Sequence, residues 1–192
     1  MLYPLPAVMV SCGRKGEKPN IITVAWAGTV CSDPAMVSIS VRPTRYSYEI
    51  LRETGEFVIN LVTRDLTYAM DYCGVRSGRD IDKFREMHLT SAPSQKIAAP
   101  LIAESPVKIE CRVRQVLELG SHHMFLAAVE AVDVEEAYLD QNGKLHLNEA
   151  DLITYSHGTY FTLGKELGTF GYSVRKRRVR SVHKLRHDVK GS

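Results

Sequence analysis

Residues 20–47 read NIITVAWAGTVCSDPAMVSISVRPTRYS. Ile22, Val24 and Trp26 alternate with Thr23, Ala25 and Ala27, the two-residue period of a β-strand. Ser32-Asp33-Pro34 marks a turn. Val37, Ile39 and Val41 then alternate with Ser38, Ser40 and Arg42 in a second strand. Pro43 has no N–H to give a ladder and ends it. Thr44 is placed to cap a helix that runs to about Thr54 and stops at Gly55. Arg42, Thr44, Arg45 and Ser47 thus surround a helix N-terminus, where hydroxyls, guanidinium groups and free backbone N–H groups make a phosphate site. From the residues alone, an ordinary capped helix with solvated arginines is the competing reading.

The rest of the chain is β-rich. PAVMVSC (6–12) is a first strand, FVINLV (57–62) a short buried one, and 107–119 and 124–134 are two long strands joined through Gly120-Ser121-His122-His123. Asp140-Gln141-Asn142-Gly143 is a hairpin turn, and LITYSHGTYFTL (152–163) reads as one last extended segment. Leu66, Ala69 and Met70 share one face of a helix that follows Asp65 and ends before Gly74. Residues 74–100 are irregular, with one helical turn at 80–84; a segment of that kind is a cover over a site or a partner-facing excursion. Gly164, Gly168 and Gly171 make a flexible turn region beside Phe170 and Tyr172. Long antiparallel strands with tight connections point to a barrel rather than to βαβ units.

At 192 residues the chain is read as one domain over 1–173 with a tail over 174–192. The tail has eight Lys/Arg and one Asp, a charge of +7, so the total of +3 leaves −4 on the rest. The basic pI belongs to the tail, and no nucleic-acid role is expected of the domain. Val179, Val182, Leu185 and Val189 give the tail one weak helical stripe, so a docked arm, an electrostatic tether and a solvated tail all remain open. No apolar run reaches membrane-spanning length, and the N-terminal stretch lacks the charged start of a leader. The reading is therefore a cytoplasmic protein with no membrane role. Cys12, Cys31, Cys73 and Cys111 form no CxxC pair and read as buried small hydrophobes.

Walker A, GxSxG and dinucleotide fingerprints are absent, the glycines at 164, 168 and 171 having the wrong spacing. His122 and His123 are adjacent, so one strand would aim them at opposite faces, a poor start for a metal site. No catalytic residue and no metal ligand is assigned. A barrel without nucleophile, base or metal borrows its chemistry from a cofactor.

Several motifs resemble one family in order. N-I-I-T-V-A-W (20–26), P-A-M-V-S-I-S-V-R-P (34–43), T-R-Y-S-Y-E (44–49), E-F-V-I-N-L-V (56–62), D-K-F (82–84), G-S-H-H-M-F (120–125) and Y-F-T-L-G-K-E-L-G (160–168) resemble the flavin reductase-like FMN-binding split barrels, most closely the flavoredoxin branch. The resemblance covers about residues 5–172. It implies a mainly β fold with flanking helices, a six-stranded antiparallel Greek-key barrel. It also implies a homodimer with one non-covalent FMN per subunit near the dimer interface. Such proteins pass a hydride from NADH or NADPH to flavin, or carry electrons to a redox protein partner. Ser121 departs from the family's Gly-Asp-His turn, replacing a carboxylate by a hydroxyl.

Under this resemblance the cofactor-binding set is Asn20, which opens the motif, then Thr23, Val24, Ala25 and Trp26 along the isoalloxazine, and Arg42, Thr44, Arg45 and Ser47 at the phosphate. Cys31 and Ser32 reach for the flavin edge, and Lys83 and Phe84 close over the flavin or nicotinamide. His122 or His123 approaches from the partner subunit. The bland alternatives stand beside them: Trp26 and Cys31 as core filler, Lys83 as a surface lysine beside a buried Phe84, and the histidines as solvated turn residues.

Overall fold

The computed structural model of the chain describes residues 2–175. Its strands are β1 (Leu5–Pro6), β2 (Val8–Cys12), β3 (Asn20–Val24), β4 (Ala27–Ser32), β5 (Ala35–Val41), β6 (Glu56–Asn60), β7 (Ser91–Ala92), β8 (Leu101–Ile102), β9 (Val107–Glu118), β10 (His123–Val134), β11 (Ile153–Ser156) and β12 (Thr159–Thr162). Three helices accompany them: α1 (Tyr46–Thr54), α2 (Thr67–Val75) and α3 (Lys83–Glu86). No helix among the described residues is long and apolar enough to cross a membrane.

Seven strands form one antiparallel sheet in the order β3-β2-β6-β9-β10-β5-β4. Its two edge strands, β3 and β4, are consecutive in the chain and separated only by Ala25-Trp26. The expected strand from Asn20 onward is therefore bent rather than straight. One half pairs with β2, the other with β5, and Ser40 N donates to Trp26 O at the corner, 2.8 Å. The bend curls the antiparallel sheet on itself into the expected split barrel, and the bent segment supplies two of the sheet's seven strands. It also ends the alternation, since Ile22 and Val24 are buried and Trp26 is 47% exposed.

Strand periodicity explains the core. Val8, Val10 and Cys12 of β2, Val37, Ile39 and Val41 of β5, and Phe57 and Ile59 of β6 point inward, with Phe125 and Ala127 of β10 opposite them. Ile50 and Leu51 of α1 plug one end. The outward face of β2 and β3 is covered as well, since Met9 and Ile21 pack against Met70 and Cys73 of α2 and Phe84 after the start of α3. Burial on both faces explains the near-continuous apolar run PAVMVSC. Cys12, Cys73 and Cys111 are buried and Cys31 is half-buried; all four are free thiols.

Three local expectations change. α1 starts one residue later than a Thr44 cap requires: Arg45 is the N-cap and no side chain caps the helix, because residues 42–45 form a turn closed by Arg45 N to Arg42 O. Gly55 ends the helix in the left-handed region at φ 64°, as its sequence position predicts. Gly74 does not stop α2; it lies inside the helix, where an added Cβ would sit 3.1 Å from Thr23 Cβ, so the glycine lets α2 lie directly on β3. Residues 152–163 are a hairpin rather than one segment, turned at His157 (φ 49°) and Gly158 (φ 83°) and paired on its outer side with β1.

Candidate functional site

Two adjoining cavities open where the bent strand, the start of α1, the end of α2 and the β9–β10 turn meet. The first has a volume of about 350 Å³. Thr23, Val24, Ala25 and Trp26 form one wall, α2 contributes Asp71, Gly74 and Val75, and Tyr155 and Tyr160 of the terminal hairpin form the rim. The second, about 280 Å³, is lined by Asn20, Arg42, Thr44, Arg45, Tyr46, Ser47, the loop Arg76-Ser77-Gly78-Arg79 and Lys83. Ile22, Arg42, Arg45 and Gly74 line both, so one elongated ligand could span them.

The first cavity suits a flat, partly polar ring. Trp26 and His122 stack nearly parallel, 7° between planes and 6.0 Å between centroids. Partial burial, then Arg42 and Arg45, hold the His122 imidazole below its usual pKa, favouring the neutral ring. His122 thus lines the cavity within its own chain, while His123 Nδ1 pairs with the Tyr48 hydroxyl at 2.7 Å. Ser121 Oγ lies 3.0 Å from His122 Nδ1, so the hydroxyl that stands in place of a carboxylate still touches the ring. Across the cavity, the Tyr160 hydroxyl donates to Asp71 Oδ1 at 2.6 Å. Burial and then this carboxylate push the phenol up to about 12. Thr23 Oγ1 donates to Met70 O and ties the wall strand to α2.

The second cavity is cationic. Arg42, Arg45, Arg76, Arg79 and Lys83 line it, and none of its lining residues is acidic. Among the described residues none of the five makes an ion pair. Asn20 is buried, and its Nδ2 donates to Ser47 Oγ at 2.7 Å. An amide N–H can only donate, so Ser47 Oγ accepts here, and the same hydroxyl also hydrogen-bonds the buried Cys12 thiol. Lys83 is 3% exposed and its Nζ donates to Ile21 O and Cys73 O, both at 2.6 Å. Burial brings its pKa down to about 8. An ammonium has three protons, and the two carbonyls use two of them. Together with the α1 N-terminus this donor set matches a phosphate group.

The structure therefore brings Asn20, Thr23, Val24, Ala25, Trp26, Arg42, Thr44, Arg45, Ser47 and Lys83 to the two cavities. Lys83 is not the surface residue of the bland reading; it is buried and faces the second cavity from α3. Phe84, Cys31 and Ser32 depart from expectation and line neither cavity. Phe84 is core, packed with the cluster around Met70, because adjacent residues of α3 point different ways. Cys31 and Ser32 lie at the far end of β4, next to the turn to β5, since the strand runs away from the bend. Cys31 Sγ donates to Asp33 O at 3.3 Å.

The sequence reading missed Asp71, Arg76, Ser77, Gly78, Arg79, Tyr155 and Tyr160. Arg-Ser-Gly-Arg carried a usable signal, two cations around a glycine after an apolar helix. The tyrosines were hidden by reading their hairpin as one strand. The expected tail features lie mostly in residues 176–192, outside the described residues.

Comparisons with known proteins find the same fold. Residues 1–164 match the family model of the flavin reductase like domain. An uncharacterized protein of Archaeoglobus fulgidus is 31% identical over 161 residues, 84% of this chain and 89% of that one. The solved flavoredoxin of Desulfovibrio vulgaris (Miyazaki F) superposes with a TM-score of 0.84 at 30% identity, over 91% of this chain and 95% of the other. Flavoredoxin from Methanosarcina acetivorans gives 0.82 at 29% identity, again over 91% and 95%.

Proposed function

The chain belongs to the flavin reductase-like domain family, and from that premise we propose that it is an FMN-binding oxidoreductase that takes a hydride from NADH or NADPH and passes electrons to an acceptor. The observation that carries this reading is the continuity of a flat-walled cavity with a five-cation cavity, which matches a ring and a phosphate on one ligand. When bound, the flavin supplies the hydride- and electron-accepting chemistry. Arg42, Arg45, Ser47 and Lys83 hold the phosphate and so fix the ligand's position. Trp26, His122 and the backbone of 23–26 line the ring, while Tyr160, held by Asp71, limits water at the rim. Positive charge from Arg42 and Arg45 favours a ring that gains negative charge on reduction.

The test is the absorbance spectrum of the purified protein with and without added FMN, followed by titration with NADH and NADPH. A flavin spectrum and bleaching by one nucleotide support the reading. Absence of FMN uptake refutes it. Fast flavin reduction in stopped flow marks a reductase; its absence marks a carrier like the flavoredoxins, which would need a redox protein partner.

A homodimer is part of the same proposal. Leu2, Trp26 and Val30 expose apolar surface around a groove that also takes in Met124. Sedimentation velocity of the full chain tests it. Residues 1–173 are proposed as the working unit, in a cytoplasmic setting, with the basic tail as an accessory.

A further inference from the structure

We propose that residues 163–174 form an arm that crosses to a second copy of the chain and seats in the apolar groove beside its ring cavity, so that two copies exchange arms. This inference rests on the homodimer reading above. It starts where the described chain ends. After β12 the backbone leaves the three-stranded sheet, and Leu167 and Phe170 are 92% and 105% exposed, with Val174 close behind. Burial of apolar surface is the main favourable term in association, and here it is still unused.

The arm has a built shape. Tyr172 N donates to Thr169 O at 2.9 Å and Val174 N to Gly171 O at 3.3 Å. Gly171 takes φ 79°, and Gly168 lies against the Tyr172 ring, where a Cβ would come 2.8 Å from Cδ1. Phe170 thus stands on a formed turn, which keeps the ordering needed on docking small. With an aromatic side chain burying about 150–250 Å², an arm carrying Leu167, Phe170 and Val174 offers on the order of 400 Å². Counted on both surfaces and for two reciprocal arms, this reaches roughly 1,600 Å², the size of a standard specific interface.

The groove, of about 330 Å³, has the matching chemistry. Leu2, Trp26 and Val30 line it and stand about half or more in water. Val30 is the extra residue of a bulge, where the β4–β5 register shifts between Thr29 and Cys31, and β4 is an edge of the seven-stranded sheet. No residue lining the groove is charged, and residues 167–174, LGTFGYSV, carry no charge either. Ala25, Trp26 and Ser40 line both the groove and the ring cavity, so a seated arm packs beside the ring wall.

One chain therefore carries an uncovered apolar arm and an uncovered apolar groove. A two-fold pair covers all of them at once, whereas a foreign partner on either feature leaves the other open. The topology favours exchange over docking within one chain. The arm leaves β12 opposite Ile153, while Tyr3 of the groove packs on His157 at the other end of the terminal hairpin.

Sedimentation velocity of the full chain over a concentration series tests the exchange. Phe170→Asp on the arm and Val30→Asp in the groove should each raise the dimer dissociation constant tenfold or more. An equimolar mixture of the two variants should recover part of that loss, because a mixed pair regains one intact arm-groove contact. A chain that fails to fold could not be recovered by mixing, so the recovery also separates lost docking from lost folding. A Phe170→Asp chain that dimerises like wild type overturns the exchange. So does a mixture no tighter than its components, which would place each arm in its own groove. Either result leaves the homodimer standing on other contacts. A wild-type chain that sediments as a monomer at every concentration removes the homodimer together with the exchange, and FMN uptake by the same sample reads the flavin site separately.

Discussion

Lys83 gives the sharpest test of the phosphate site, because its charge should be lost within an accessible pH range. Its Nζ is buried against two backbone carbonyls, and burial brings its pKa down to about 8. Below pH 8 the ammonium is charged and attracts a phosphate; above it the amine is neutral. A hydrogen bond to a charged group contributes about 1.5–3 kcal/mol, or roughly 10- to 100-fold in affinity. Phosphate binding will itself raise the Lys83 pKa, so the fall begins near the ligand-free value of about 8 and continues up to the raised one. The assay is the ratio of FMN to riboflavin dissociation constants between pH 7 and 9.5. Riboflavin lacks the phosphate and cancels ring effects, and the phosphate is already a dianion across most of the range. The FMN advantage should shrink by roughly 7- to 25-fold between about pH 7 and 9.5, and in Lys83→Met it should be smaller from the outset and flat. Stability of the ligand-free protein should move the other way. Unfolded, Lys83 binds its proton up to its ordinary pKa near 10.4, so from about pH 8 upward the unfolded state holds more of that proton and stability rises with pH. Buried Cys73, pushed up to about 11, opposes this once free thiols ionise, so the rise is read as wild type minus Lys83→Met. A pH-independent FMN-to-riboflavin ratio in the wild type, or the same slope in Lys83→Met, would refute this account.

Arg45→Ala, at an exposed guanidinium on the shared wall of both cavities, should weaken FMN about 5- to 30-fold by equilibrium titration. Thr44→Ala should change FMN affinity less than about threefold, since Thr44 caps no helix. Gly78→Ala should destabilise the fold by about 2 kcal/mol or more through overpacking against Asn20 and Tyr46, a fall of roughly 4–8 °C in Tm by calorimetry. Glu110 is fully buried and accepts from Gln95 N and Lys96 N at 2.7 Å each. Glu110→Ala should therefore lose about 2–4 kcal/mol in denaturant unfolding, with flavin affinity unchanged.

How far the sequence led depended on the range of the forces involved. Strand alternation in 107–119 and 124–134, the Asn142-Gly143 turn and the Gly55 stop are local, and they read correctly. The residues of the cationic cavity's α1 side were legible for the same reason, since Arg42, Thr44, Arg45 and Ser47 all fall within 42–47. What failed depends on contacts far apart in sequence. Gly74 looks like a helix stop and is instead the point where α2 meets Thr23, 51 residues earlier. Lys83 was a site candidate only through its motif, and the surface-lysine alternative falls once Ile21 O and Cys73 O are placed around its amine. The turn at His157-Gly158 needs two positive φ values, and only the glycine advertised one. Arg76 and Arg79 became candidates once the end of α2 was placed beside the start of α1.

Trp26 is where local and long-range control meet. By alternation it belongs with Ile22 and Val24 inside the barrel. The bend puts its carbonyl on Ser40 N and its ring half outside, stacked on His122. If the ring is a wall of the flavin cavity and not part of the core, Trp26→Ala has a distinct signature. Exposed substitutions usually change stability by about 0.5 kcal/mol or less, and even with the His122 stack lost the cost should stay near 1 kcal/mol. A core aromatic such as Phe125, fully buried, should lose about 3–5 kcal/mol on the same change. Riboflavin and FMN should weaken by the same factor in Trp26→Ala, because the ring is common to both. Arg45→Ala should weaken FMN and leave riboflavin nearly unchanged. Crossing the two variants with the two ligands assigns the ring and phosphate ends independently. Trp26 is also the one tryptophan of the chain, so its fluorescence should be quenched as flavin binds. A Trp26→Ala protein that melts like a core variant, or that loses FMN but not riboflavin, would move Trp26 out of the ring wall and leave the cationic cavity as the only anchored part of the site.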